Sequence, residues 1–236
     1  MPDVQLLPGL LATPYRFLWH PATRTAILAD LHLGSSLSSQ ATVGPRLTDA
    51  WRQLAARRPQ RVILAGDLLD DPPAASSQIP VFQALMELLP AGCRVTLTPG
   101  NHDPPHLGSM LGVESLPEVL VESYLISHGH VPPTVRPPAW IVGHQHPAVI
   151  LSTRVQSAKM ACYALCEPSA IRPQLVILPA FARDAGGPLG SNLLTAHHWL
   201  LPVPRPAANK IRIYGLIEPP AGPPQVLDFG PLTSLR

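Results

Sequence analysis

The sequence predicts an α/β fold in which strands and helices alternate in the first half and strands dominate the second. Apolar runs at residues 25–30, 61–67 and 94–100 each end in polar residues or glycine, as buried strands that lead into loops do. Helix-like stretches at residues 47–57 and 79–89 separate these runs, which is typical of βαβ units and a largely parallel sheet. The second half carries further strand-like segments with few helix signals.

The composition predicts one globular domain over residues 1–236. The chain is 46% hydrophobic and has a net charge of +2, which excludes a disordered chain. Basic residues are scattered and include only two lysines, so any contact with nucleic acid must be local rather than driven by bulk charge. The 3 cysteines do not suit a disulfide framework or a Cys-rich zinc site, and the 31 prolines are spread out and stiffen loops.

The N-terminal segment does not resemble a secretory signal. Asp3 takes the place of a basic region, and Pro8 interrupts the apolar run. No segment approaches the roughly 18 consecutive apolar residues of a membrane span. We therefore expect a soluble, cytoplasmic protein that does not enter a membrane.

Polar side chains that could carry chemistry gather where the apolar runs end. In open parallel sheets, ligands bind beyond the carboxyl ends of the strands, so these residues are expected to meet. Five such ends supply carboxylates, an amide and imidazoles: Asp30 and His32; Asp67; Asn101, His102 and Asp103; His128 and His130; His144 and His146. The pattern indicates a polar site at one end of the sheet.

The spacing within this set points to metal binding. Asp30 and His32 are two residues apart on what we expect to be an extended strand end, so they can chelate one ion, and His144 and His146 repeat that spacing. Oxygen ligands mixed with imidazoles, without a thiolate, suit Mn, Fe, Zn or Ni. The candidates are too many for one ion, whereas two ions that share a bridging carboxylate fit their number.

These residues also carry a family resemblance. The ordered blocks ADLHLG, AGDLLDD, PGNHD, SHGH and VGHQH resemble the calcineurin-like metallophosphoesterase superfamily. The segments LWHPATRTAILADLHLG, GHQHPAVIL and LVILPAFARDAGG are similar to the bacterial ligase-associated DNA-damage-response phosphoesterases. The resemblance implies a four-layered α/β/β/α sandwich, in which helices flank two facing mixed sheets and the site lies at one end.

The resemblance also implies a ligand set for two divalent transition metals, with Mn²⁺ as the first choice. The first metal would be held by Asp30, His32, Asp67 and His146. The second would be held by Asp67, Asn101, His128 and His144. Asp67 would bridge the two ions, and a metal-bound hydroxide would attack phosphorus in line.

Other residues receive roles from the same resemblance. His102 is expected to be the general acid, with Asp103 fixing its tautomer, while His130 lies beside the metals or in a loop. Pro104 and Pro105 follow GNHD where many relatives carry Arg or Lys, so a phosphate contact is missing there. We expect Arg183 to bind substrate in its place.

The sequence thus predicts a metal-dependent phosphoesterase. The narrower resemblance implies a nucleic-acid phosphodiester as substrate, cut in DNA repair, with a ligase or helicase as candidate partners. A phosphodiesterase or phosphomonoesterase that acts on nucleotides or another small molecule is the alternative. A non-catalytic interaction module on the same scaffold is a more remote one. The sequence does not specify the oligomeric state, the native metal or the role of the chain beyond Leu193.

Overall fold

The computed structural model describes residues 3–34, 45–70, 75–152, 157–182, 198–219 and 221–235. The first of its two sheets has the strand order β1-β2-β3-β4-β5-β6-β7. Strands β1 to β4 pair antiparallel, and β4 to β7 pair parallel. Their bounds are β1 Val4–Leu7, β2 Leu10–Ala12, β3 Leu18–His20, β4 Thr25–Leu28, β5 Arg61–Leu64, β6 Arg94–Leu97 and β7 Glu114–Ser115.

The second sheet has the order β15-β14-β12-β13-β10-β9-β8, with β11 paired to β12 outside this path. The pairs β13-β10 and β10-β9 are parallel, and the others are antiparallel. Both sheets are therefore mixed. Their remaining strands are β8 Val119–Val121, β9 Tyr124–Ser127, β10 Ala139–Val142, β11 Ala148–Ser152, β12 Ser157–Cys166, β13 Gln174–Ile177, β14 Ile211–Ile217 and β15 Gln225–Pro231.

The two sheets face each other across one apolar core. Ile27 and Ile63 of the first sheet belong to the same buried cluster as Ile126, Ile141 and Val176 of the second. The central strands are buried over their whole lengths, which explains their nearly continuous apolar sequence. Two facing mixed sheets confirm the architecture that the resemblance implied.

Helices cover the outer face of the first sheet. Their bounds are α1 Pro45–Ala56, α2 Ala75–Met86 and α3 Leu107–Leu111. Trp51 of α1 and Phe82 of α2 pack in one cluster with Leu28 and Leu64 of the sheet. Both longer helices overlap the stretches predicted from the sequence at 47–57 and 79–89, but α2 begins and ends several residues earlier than predicted.

The outer face of the second sheet is covered differently. In the described part of the chain, Trp140, Ile177 and Ile213 pack against Leu201 and Leu232, which lie in a loop and in a short 3₁₀ helix. Among the described residues, loops and 3₁₀ turns cover this face. The C-terminal region that the sequence left open forms β14 and β15 at this sheet's edge. No described helix has the length and hydropathy of a membrane span.

Candidate metal centre

The predicted ligands follow the carboxyl ends of strands from both sheets. Asp30 follows β4, Asp67 follows β5 and Asn101 follows β6, all in the first sheet. His128 follows β9 and His144 follows β10 in the second sheet. Backbone hydrogen bonds join the ends, since the amide of Phe181 donates to the carbonyl of Ala29 at 2.9 Å. The two sheets therefore meet at the same edge and supply one polar site.

The backbone at these positions differs from the extended geometry that the spacing suggested. Asp30 and His32 have φ angles of 58° and 44°, and His144 and His146 have φ angles of 60° and 44°. Asp67 is also left-handed, with φ 48°. The expectation of an extended strand end was therefore wrong: tight left-handed turns aim these side chains. Such conformations cost about 1 kcal/mol or more each and concentrate at functional sites.

One group of side chains gathers around the first strand end. Asp30, His32, Asp67 and His146 each offer a ligand atom, and these atoms lie within 4.8 Å of one another. His146 Nε2 is 3.3 Å from Asp30 Oδ1 and 3.2 Å from His32 Nε2. Asp30 is fully buried and accepts a hydrogen bond from the His144 amide at 3.2 Å, which fixes its orientation. This group has the composition expected for the first metal.

A second group shares Asp67 with the first. Asp67, His128 and His144 offer ligand atoms that also lie within 4.8 Å of one another. His128 Nε2 is 3.3 Å from Asp67 Oδ2 and 3.1 Å from Asn101 Oδ1, so the amide joins this group. Asp67 is the one side chain common to both groups. Its position matches that of a carboxylate able to bridge two cations.

Three glycines of the sequence blocks make this close approach possible. A Cβ at Gly66 would lie 2.3 Å from His128 Nδ1, and one at Gly100 would lie 2.1 Å from Asp67 Oδ1. A Cβ at Gly143 would lie 2.7 Å from Asp30 Oδ2. Any side chain at these positions would displace a candidate ligand. The glycines are therefore part of the site, because they let the backbone of one loop touch a side chain from another.

Burial and neighbouring charge shift the pKa values of several candidate ligands. Burial and the charge of His128 lower the pKa of His144 to about 4. Burial, together with the charge of His146, also lowers the pKa of His32. Burial disfavours a charged Asp67, but a hydrogen bond and the charge of His128 outweigh it and hold its pKa well below the usual range. Burial disfavours a charged His128, but its hydrogen bond to Asp67 and the charge of Asp30 outweigh this and raise its pKa, so a bound cation would have to displace the His128 proton.

The donor set fits divalent transition metals. Two carboxylates, one amide oxygen and four imidazoles converge, whereas the buried Cys162 and Cys166 lie in β12 and not in this site. The facing Nε2 atoms of His32 and His146 cannot both donate a hydrogen to each other, so at least one lone pair stays available. The described residues therefore provide two overlapping groups of candidate metal ligands.

His102 lies at the exposed rim of the site. Its backbone amide donates to Asp67 Oδ1 at 3.0 Å, and its ring stacks edge-on against His32 at a centroid distance of 5.6 Å. Its Nδ1 is 3.0 Å from the carbonyl oxygen of Asp70. Because a carbonyl only accepts, Nδ1 carries the hydrogen and Nε2 is the atom that can take or give a proton.

The resemblance implied that Asp103 orients the His102 ring, but in the structure its carboxylate binds backbone amides instead. Its Oδ1 accepts hydrogen bonds from the amides of Leu68 and Leu69 at 2.9 and 3.2 Å, and its Oδ2 accepts one from Gly100 at 2.9 Å. Both oxygens are thus occupied by backbone donors. Asp103 instead ties the loop after β5 to the loop after β6, and the Asp70 carbonyl takes the place beside His102.

Two residues of the site were not predicted from the sequence. Asp70 contributes its carbonyl to His102, and its Oδ1 lies 3.1 Å from His32 Nδ1. Gln145 stands between two candidate ligands, is 1% exposed, and binds the chain segment at residues 198–200. Asp70 could have been suspected from its place in AGDLLDD. The contacts of Gln145 span more than 50 residues and leave no local signal.

The remaining predicted residues have different outcomes. The His130 ring lies 5.2 Å from that of His128 and 6.2 Å from that of His144, so it borders the second group. Arg183, the expected substrate-binding residue, lies outside the described residues.

Comparisons with known proteins identify the class of this site. Residues 23–134 match the family model of the calcineurin-like phosphoesterases. This match marks a calcineurin-like phosphoesterase domain within those residues, a domain of the metal-dependent hydrolases that cleave phosphoesters. The matched region contains Asp30, Asp67, Asn101 and His128 but ends before the histidines that follow β10. His144 and His146 are therefore assigned to the site by their positions in the fold and not by the family match.

Solved structures show which fold this chain shares. It is similar to the crystal structure of the nuclease MPE from Pseudomonas putida, with a TM-score of 0.58, 23% identity, and coverage of 93% of this chain and 94% of that chain. Single and double mutants of Vps29 from Entamoeba histolytica give TM-scores of 0.38 and 0.40, with 15% and 14% identity. Each of these matches covers 87% of this chain and 99% of the Vps29 chain. No curated protein sequence is significantly similar.

Proposed function

We propose that this chain is a two-metal phosphodiesterase whose substrate is nucleic acid, cut in DNA repair. The observation that carries the proposal is the position of Asp67 in both ligand groups. One carboxylate shared by two sets of imidazoles suits a pair of cations, because shared negative charge offsets their mutual repulsion. The sequence resemblance and the nuclease of similar fold support the choice of substrate.

In this proposal, Asp30, His32, Asp67 and His146 hold one cation, and Asp67, Asn101, His128 and His144 hold the other, with Mn²⁺ as the first choice. Bound cations supply Lewis acidity, which acidifies water and neutralises charge on phosphoryl oxygens. The left-handed turns hold the ligands in place before substrate arrives, which limits reorganisation during the reaction.

His102 has the geometry of a proton donor. Its Nδ1–H is held by the Asp70 carbonyl, which leaves Nε2 as the ring atom that exchanges a proton. Its exposed position lets Nε2 face a leaving oxygen at the rim of the site. Donation from Nε2 to that oxygen would lower the barrier most when the leaving group is a poor one.

Hydrolysis of a nitrophenyl phosphodiester tests the catalytic part of the proposal. Protein treated with chelator should be inactive, and added Mn²⁺ should restore turnover. Asp67→Asn removes the shared charge, so this variant should bind less Mn²⁺ and should show no turnover when Mn²⁺ is added. Asp49→Asn, on the exposed face of α1, should change neither Mn²⁺ binding nor turnover. Full metal occupancy and normal turnover in Asp67→Asn would overturn the two-metal assignment.

Salt dependence tests the substrate. With DNA as substrate, KM should rise steeply between 50 and 200 mM salt, because each phosphate contact releases counterions. A nucleotide substrate should give a much shallower dependence. If the protein cleaves nucleotides efficiently and independently of salt but does not cleave DNA, the result would favour the small-molecule phosphoesterase instead.

A further inference from the structure

Arginines line the edge of the first sheet that is opposite the candidate metal centre. Thr25, Arg61 and Arg94 are the first residues of β4, β5 and β6 and lie side by side in register. The candidate ligands follow the other ends of these strands. Each strand has 4 residues, so roughly 10 Å or more of sheet separates the two edges.

Two adjoining pockets open at this arginine edge. The first has a volume of about 350 Å³ and is lined by Arg24 and Arg58. The second has a volume of about 620 Å³ and is lined by Arg61 and Arg94. Gln60 and Gly92 line both pockets, so the two adjoin and form one groove, and four of the residues that line it are arginines. We call this groove the arginine groove.

Most of the positive charge in the arginine groove is not neutralised. Within the described ranges, no carboxylate lies within ion-pair distance of Arg24, Arg58 or Arg94. Arg61 has Glu114 at 3.6 Å. Glu122, the one acidic residue of the lining, is 3.4 Å from His20 Nε2. The groove therefore carries an excess of positive charge on a chain whose total is only +2.

Two of these arginines occupy backbone positions that favour glycine or asparagine. Arg24 has φ 48° and Arg58 has φ 51°. Arg58 lies two residues beyond the end of α1, where a left-handed residue is commonly glycine. The Arg24 guanidinium donates to the carbonyl of Arg58, but the Arg58 side chain has no hydrogen bond among those found in the described residues. Local structure alone does not account for arginine at these positions.

We infer that the arginine groove binds the phosphate backbone of duplex nucleic acid, at a site separate from the metal centre. A guanidinium group presents paired donors that match a phosphate. No aromatic residue lines either pocket, so the groove lacks both the anchors typical of protein docking and the platforms on which single-stranded bases stack. This inference does not depend on catalysis, because a chain without metal could still bind there.

Fluorescence anisotropy with a labelled DNA duplex tests the inference on the full chain. The variant R24N/R58N/R94Q removes three charges, and asparagine tolerates the left-handed backbone, so the fold should be at least as stable. The control R52Q/R136Q/R212Q removes the same charge from exposed arginines elsewhere. Hydrolysis of a nitrophenyl phosphodiester, measured alongside, reports on the metal centre separately.

The groove variant should bind the duplex at least about tenfold more weakly at 50 mM salt than the control does. The slope of log K against log salt should fall by about 2 to 3, since each phosphate contact contributes about 0.9. Turnover of the nitrophenyl substrate should be the same in both variants. Equal duplex affinities and equal salt slopes for the two variants would overturn the inference, whatever the outcome for catalysis.

Discussion

The carboxylate of Asp67 lies directly against the backbone of Gly100, so closely that a Cβ at Gly100 would be 2.1 Å from Asp67 Oδ1. The same carboxylate belongs to both candidate ligand groups. The position of one glycine therefore controls the position of the residue that joins the two groups. In the PGNHD block, the metal centre therefore depends on Gly100 as well as on the polar residues that follow it.

Gly100→Ala is expected to disable the metal centre without unfolding the protein. The added methyl group must push Asp67 away, so Mn²⁺ content should drop and turnover of a nitrophenyl phosphodiester should fall about 100-fold or more. Gly92→Ala is the control: a Cβ there meets nothing within 4 Å, but its φ of 80° costs about 1 kcal/mol of stability. Normal metal content and turnover in Gly100→Ala would contradict the close contact.

His102→Ala is expected to spare the metals and to slow turnover. The loss should be largest, about 100-fold or more, for substrates with poor leaving groups, because a general acid typically contributes 10² to 10⁴ there. The nearby exposed His106→Ala serves as control and should leave turnover unchanged. The measurement is kcat over a series of leaving groups, and an equal loss across the series would rule out proton donation.

Asp103→Asn is expected to act mainly on stability. The amide cannot accept all three backbone hydrogen bonds, and its NH₂ group would face the amides of Leu68, Leu69 or Gly100. Urea unfolding should show a loss of roughly 2 to 4 kcal/mol, because buried donors lose a charged partner. If Asp103→Asn instead kept full stability and shifted only the pH dependence of kcat, the residue would act through His102 after all.

Gln145 is expected to hold the segment at residues 198–200 against the metal loop. Its Nε2 donates to the His198 carbonyl at 2.6 Å, and its Oε1 accepts from the Leu200 amide at 2.8 Å. Gln145→Leu leaves both backbone groups unsatisfied, which costs about 2 kcal/mol or detaches the segment. Hydrogen exchange at Leu200 should rise at least tenfold, and unchanged protection there would show that other contacts hold it.

The sequence could single out the candidate ligands because each of them follows an apolar run that is recognisable as a strand. It could not predict how they converge. Asp30 and His32 are aimed by left-handed turns, and residue spacing alone does not distinguish these from an extended strand. The early strands β1 to β3 were also not predicted.

The long-range contacts were likewise beyond sequence reasoning. The role of Asp103 depends on amides more than 30 residues away, and the resemblance assigned it to its neighbour instead. The arginines of the groove are scattered between residues 24 and 94, so only the register of β4, β5 and β6 brings them together. Scattered charge in a sequence thus does not exclude a charged surface in the fold.

The number of metal ions bound per chain tests the central claim most directly. Protein loaded with Mn²⁺ and freed of excess should contain two ions per chain by elemental analysis, and Asp67→Asn should retain at most one, weakly. The shared carboxylate explains both numbers, because each ligand group is incomplete without Asp67. A single tightly bound ion in the unaltered chain, or two ions retained by Asp67→Asn, would contradict a bridged pair.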